Sequence, residues 1–310
     1  MKTTAITRTL SRQFREFRQL IRGIGGLTIY GTLTWPWLSL GLLLSLNGCI
    51  VDLDDDPADM QVLRESRPLE NTKELNVDVK FDVGQVELAK TFNDSLFSID
   101  LQYDRRLNPK FSFDAGERAE LRLSTDSKRL NKRSNDLMLR LTDKVPIDLE
   151  MRMGVSESHL DMTDLQLRRV RLHGGVGETD VTFDRPSKQD MESLEVNSGV
   201  GELKIRGLGN TRVRRVDVKG GVGETELDFT GELGSATTDC SVKVGIGEVK
   251  LVIPRDADVE IHAQGSFLSN INAPGFDRNG RTYTHHGADS SAKIRIRVES
   301  GVGAVNIDLI

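Results

Sequence analysis

Four copies of one short phrase set a carboxylate behind paired glycines. They are Gly175-Val176-Gly177-Glu178, Gly199-Val200-Gly201-Glu202, Gly221-Val222-Gly223-Glu224 and Gly245-Ile246-Gly247-Glu248. Two chemistries use such residues. Glycine-rich loops cradle phosphate on backbone N–H groups, and stacked carboxylates hold hard cations such as calcium. The phosphate reading needs G-x-G-x-x-G between a strand and a helix N-terminus. Here the phrase sits between two strand-like segments and recurs too often to be one site, so no nucleotide cofactor is expected. The cation reading makes Glu178, Glu202, Glu224 and Glu248 a candidate column, with neighbours roughly 5 Å apart if each phrase is one rung. No further oxygen ligand recurs at a fixed offset, so the column is expected to be a solvated corner.

The remaining reactive residues point to no catalytic centre. Of the five histidines, only His285 and His286 adjoin. Adjacent residues on a strand face opposite sides, which argues against a shared metal. No G-x-S-x-G, H-E-x-x-H or C-x-x-C occurs. The runs Arg168, Arg169, Arg171 and Arg212, Arg214, Arg215 read as solvated strand faces. Cys240 is in phase with Val242, Val244 and Ile246, so it reads as a buried structural thiol.

Charge narrows the partners. The 310-residue chain has net charge −5. Residues 1–22 hold six basic side chains and one acid, so the rest is net −10. An acidic body with 5% aromatics is not expected to bind nucleic acid.

After Arg22 no charge occurs from Gly23 to Gly48. Basic residues followed by an apolar run have the form of a secretory signal. The run ends in Leu46-Asn47-Gly48-Cys49, which resembles the lipobox of bacterial lipoproteins, although Asn47 departs from the usual residue there. Cys49 is therefore the predicted lipidation site and the attachment to the membrane. The body is expected outside the cytoplasm, with outer-membrane attachment in a diderm. An uncleaved inner-membrane signal anchor is the alternative. The acidic stretch Asp52-Leu53-Asp54-Asp55-Asp56-Pro57-Ala58-Asp59 reads as a solvated tether.

The elements that position the repeated phrase are strands. Leu194 and Val196 precede the second copy and Leu203 and Ile205 follow it; Val242 and Val244 precede the fourth, and Val249, Leu251 and Ile253 follow. That is the period of a half-buried strand. Gly301-Val302-Gly303-Ala304 closes the series, and the first four copies begin 24, 22 and 24 residues apart. Within each copy the buried set is expected to step by three, as from Val176 to Thr179 or Val200 to Leu203. An odd step flips the next strand unless the chain bends. Gly175, Gly177, Gly199, Gly201, Gly221, Gly223, Gly245, Gly247, Gly301 and Gly303 are thus predicted corner residues. Degenerate copies are expected around Val83 and Val155, a weak one over Ile261–Phe267, and a projecting polar loop over Pro274–Ser291.

These stretches look familiar together. Leu75-Asn76-Val77-Asp78-Val79-Lys80-Phe81-Asp82-Val83-Gly84-Gln85-Val86-Glu87-Leu88, Val145-Pro146-Ile147-Asp148-Leu149-Glu150-Met151, Gly220-Gly221-Val222-Gly223-Glu224 and Val252-Ile253-Pro254-Arg255-Asp256-Ala257 occur in that order. Residues from about 72 to 310 resemble the bacterial LiaF-like or toast-rack proteins, related to adhesin-like β-repeat domains. The resemblance implies a stacked β architecture at or outside the membrane and no catalytic residues. Relatives with membrane helices restrain a sensor kinase in the envelope-stress response, and this sequence has no such cluster of helices.

The expected organisation is a signal peptide over 1–48, an acylated cysteine and acidic tether over 49–70, an N-terminal β cap subdomain over 71–146 and a repeated β-solenoid over 147–310. The expected fold is all-β, a solenoid with rungs of roughly 22–24 residues; an antiparallel β-sandwich is the alternative. The expected function is a non-enzymatic envelope lipoprotein, adhesin-like or scaffolding, that binds protein or glycan. Regulation of an envelope-stress sensor kinase is the alternative. The sequence leaves the oligomeric state open.

Overall fold

The computed structural model describes residues 59–126, 135–265 and 269–310. The expected signal segment and Cys49 lie outside the described residues. The first strands are β1 (Met60–Pro68), β2 (Glu74–Lys90), β3 (Ser95–Asp104), β4 (Lys110–Asp114), β5 (Arg118–Ser124) and β6 (Asp136–Leu141). The middle of the chain forms β7 (Ile147–Asp161), β8 (Leu167–Thr182), β9 (Ser193–Arg206), β10 (Arg215–Asp228) and β11 (Thr238–Ile253). The last strands are β12 (Ala257–Gly265), β13 (Ser269–Asn272), β14 (Asp277–Asn279), β15 (Thr282–His285) and β16 (Asp289–Leu309).

Seven long strands stack in parallel, in the order β2, β7, β8, β9, β10, β11, β16. Equivalent residues of the repeated phrase pair across every step: Val200 with Val222, and Val222 with Ile246. This is a β-solenoid. The central pairings are parallel, so the sandwich alternative falls. Each long strand is bent into two arms. Val216 and Val218 of one arm and Leu227 of the other are buried, and Phe229 in the connection to the next rung joins them. Burying one Val, Leu or Phe side chain stabilises by about 1.5–3 kcal/mol. One rung could not shield these faces alone, so stacking is what stabilises them.

Both ends depart from simple sequence order. At one end β5 pairs with the first arm of β2 and β6 with its second arm, so two short strands make one split rung. Strands β4 and β3 then add antiparallel to β5 and β6, and β1 adds to β3. At the other end β16 returns to lie between β11 and β12. Strands β12 and β13 share its two arms, and β15 covers β12 antiparallel. Exposed edges of a parallel stack invite pairing with other chains, and antiparallel strands cover them.

Three expectations are corrected by this arrangement. The tether ends sooner than residue 70, because Met60–Pro68 is strand β1. The cap and the repeated body are not divided at 146, because β2 is a full rung in register with β7 from Leu75 to Leu88. The polar segment 274–291 is not a free loop, since β14 and β15 form an antiparallel pair on β12. In each case backbone pairing with a segment distant in sequence decided the outcome.

Candidate functional surface at the corner of the stack

The corner is made by glycine. Gly177, Gly201, Gly223, Gly247 and Gly303 have φ between 134° and 142°, a region that L side chains avoid. A Cβ on Gly223 would lie 1.8 Å from the carbonyl oxygen of Gly201 in the rung below. Positive φ and close backbone approach both require glycine there. Gly175, Gly199, Gly221, Gly245 and Gly301 precede them by two residues and likewise lie against backbone carbonyls of the neighbouring rung.

The branched residue of the phrase does not continue the buried series, as the step of three had implied. It stands at the outer vertex. Val155, Val176, Val200, Val222, Ile246 and Val302 are 41%, 51%, 49%, 47%, 53% and 41% exposed. The inward row runs instead from Gly174 to Thr179 and from Ser198 to Leu203. The bend takes up five residues, and the one with the large apolar side chain sits on its convex side. Together with Val83 these residues pair rung to rung as one ridge.

The four predicted glutamates do form a column beside this ridge, and Glu157 joins it below Glu178. Glu157 belongs to the degenerate phrase Gly154-Val155-Ser156-Glu157. Its serine hid it from a search for paired glycines. Neighbouring members lie about 4.8 Å apart. Cationic and amide groups interleave with them. Lys204 Nζ is 2.5 Å from Glu202 Oε1, Asn306 Nδ2 donates to Glu248 Oε1 at 2.6 Å, and His159 Nε2 is 3.8 Å from Glu157. The hydrogen bond to Glu202 raises the Lys204 pKa; burial opposes this, and the charges of Glu202, Glu178 and Glu224 add to it. Among the described residues no group of three or more His, Cys, Asp or Glu is placed to hold a metal ion.

From β2 to β11 the other flank of the ridge is basic or amide-bearing, and on β16 Glu299 takes the same position. Lys80, Arg152, His173, Asn197, Lys219 and Lys243 follow one another in register. Each lies three residues before the ridge residue of its rung, an offset that a rung-by-rung alignment of the sequence would have exposed. Asn197 Nδ2 donates to His173 Nδ1 at 3.3 Å. Between this column and the ridge runs a shallow groove of about 590 Å³, floored by Gly154, Gly175, Gly199 and Gly221.

The arginine runs are placed more specifically than solvated faces. Arg168 Nη2 is 2.7 Å from Asp148 of the rung below, and Arg169 bonds the same carboxylate. Burial opposes ionisation of Asp148, but these two hydrogen bonds prevail and hold its pKa below the ordinary value. Arg214 reaches Asp190 at 3.5 Å and Arg212 reaches Glu232 at 3.8 Å. His285 and His286 do not share a ligand: His285 Nε2 bonds the Arg255 carbonyl, and His286 lies 3.5 Å from Asp258. Cys240 is buried, and burial pushes its thiol pKa far up, so it is held protonated and unreactive.

A parallel stack of bent strands, turned at glycine corners and ruled outside by columns of like residues, defines a β-solenoid repeat protein. The chain belongs to the toast_rack family: the model of the N-terminal domain of toast_rack, DUF2154, matches residues 56–206 and 193–252. It is also similar to a solved "putative cell adhesion protein" from Clostridium sporogenes, at 19% identity over 81% of this chain and 100% of that one, with a TM-score of 0.44. A "putative adhesin" from Bacteroides fragilis is 16% identical over 80% of this chain and 97% of that one, with a TM-score of 0.41. A "putative lipid binding protein" from Parabacteroides distasonis is 10% identical over 81% and 98%, with a TM-score of 0.29. No curated protein matches the sequence.

Proposed function

We propose that this protein is a non-enzymatic, adhesin-like or scaffolding component of a bacterial envelope, held to the membrane by lipid on Cys49. One observation carries the reading: seven rungs in register repeat a Val or Ile ridge about every 4.8 Å, flanked by a glutamate column over five rungs and a basic or amide column over six. Such a surface suits an extended or periodic partner, a polymer or another protein, better than a small substrate. Anchoring rests on Leu46-Asn47-Gly48-Cys49 and the acidic residues that follow it.

The test is made on the full chain beside a Cys49→Ala variant. The mass of the N-terminal tryptic peptide should show a diacylated Cys49, and the variant should leave the membrane fraction. Saturable binding to purified envelope polymer or to whole cells supports the adhesin reading. A chain that starts at Met1 overturns the lipid anchor. A stoichiometric sensor kinase after cross-linking in native membranes, with no polymer binding, replaces adhesion by regulation.

A further inference from the structure

We infer that the corner ridge is the interface of a two-fold dimer of this chain, with the two stacks side by side and parallel. Single exposed valines are ordinary. Six stacked in unbroken succession, each 41–53% exposed, form one apolar stripe about 24 Å long. Contiguous apolar stripes with polar rims mark interaction surfaces.

Charge identifies the occupant and its direction. On β7 to β11 the basic or amide residue lies three positions before the ridge and the glutamate two positions after it, whereas β16 has Glu299 and Ala304 at these positions. Two face-to-face copies related by a two-fold axis along the stack exchange left and right while keeping each rung at its own height. Arg152 then faces Glu157 of the second copy, His173 faces Glu178, Asn197 faces Glu202, Lys219 faces Glu224 and Lys243 faces Glu248. Three of these five pairs join opposite charges, at Arg152, Lys219 and Lys243, while His173 and Asn197 offer ring or amide nitrogens; the end rungs have Gln85 on β2 and Ala304 on β16 in place of the glutamate. The other face-to-face two-fold, across the stack, sets glutamate column against glutamate column, and such like-charge contact opposes association. Arg152 and Lys243 already pair within the chain, with Asp78 and Glu299 at 2.9 and 3.0 Å. Their side chains are 45% and 51% exposed, so they can bridge to a further carboxylate.

The strip is about 29 Å long and about 17 Å wide, or about 500 Å² per copy. A standard stable interface uses about 800 Å² per partner. The dimer is therefore reversible and concentration-dependent in solution. This inference does not depend on the proposed binding of an envelope polymer, and its readout contains no other component.

The experiment is sedimentation velocity on the full chain over a concentration series at low salt. The expected result is a monomer–dimer equilibrium that Val200→Asp with Val222→Asp abolishes, with the thermal midpoint kept. Lys219→Glu with Lys243→Glu should weaken it more than tenfold. Adding Glu224→Lys and Glu248→Lys to that same chain should restore it, because the contacts of those two rungs are then reversed in sign and again complementary. An Ile246→Cys chain should cross-link to its own copy at that position, identified from peptide masses. In the antiparallel arrangement Ile246 would instead meet Val155. A monomer at every concentration, a dimer indifferent to the ridge substitutions, or cross-links of Ile246→Cys only to Val155→Cys would each overturn the proposal.

Discussion

Lys204 Nζ lies 2.5 Å from Glu202 Oε1, in the middle of a column of five glutamates. Like charges opposite one another destabilise a sheet, and Lys204 places a cation among Glu178, Glu202 and Glu224. Its pKa is raised by Glu202 first, then, against the cost of burial, by the charges of all three. A column that would repel itself is thus stabilised by a group contributed from the adjacent column.

Lys204→Gln should therefore lower stability at low ionic strength by on the order of 1 kcal/mol. High salt screens the glutamates from one another, so the difference from the unaltered chain should shrink as sodium chloride rises. Thermal unfolding of both proteins across a salt series checks this. A difference that does not change with salt would mean that Lys204 acts through packing.

Gly223 and Gly174 separate the two demands made at the corner. Gly223 has φ 137°, and an added Cβ would meet the Gly201 carbonyl oxygen at 1.8 Å. Around Gly174 the nearest atom to such a Cβ is Thr179 Oγ1 at 3.5 Å, an ordinary contact. Gly223→Ala should cost about 3 kcal/mol or more, while Gly174→Ala should stay within about 1 kcal/mol. Urea unfolding of the two variants measures the contrast, and equal costs would contradict the corner geometry.

Asp164 links three rungs. Its carboxylate is 2.8 Å from Lys90 Nζ at the end of β2 and 2.6 Å from Arg185 Nη2 beyond β8. The Arg185 hydrogen bond first, and that of Lys90 next, hold its pKa well below the ordinary carboxylate value. A depressed folded-state pKa stabilises above the unfolded value, about 3.9, and that share is lost as pH falls through the folded one. Asp164→Asn should therefore be the less stable protein at neutral pH, by a few degrees in Tm. The gap should close as pH drops below about 4. Asn suits the test because Asp164 has φ 67°, which Asn tolerates. A gap independent of pH would exclude the ion pairs as its cause.

Much of the fold could be read from local pattern. Leu194, Val196, Leu203 and Ile205 alternate as strand residues must, and Gly201 sits where that alternation breaks. The glutamate column followed from equal spacing alone. Glu157 was lost because Ser156 stands where the other copies have glycine. Lys80, Arg152, Lys219 and Lys243 were lost because a charge on a strand face is unremarkable until its neighbours in the next rung are known.

By itself, the sequence determined the strand period, the rung length and the residues at each corner, since side-chain alternation and glycine's freedom at positive φ act within a few residues. Only the tertiary structure decided the rest. The return of β16 between β11 and β12, and the split rung of β5 and β6 on β2, depend on hydrogen bonding between distant segments. Val176 and its equivalents were read inward from their place in the alternation. They face outward because the five-residue bend sets them on its convex side, where no second arm can cover them.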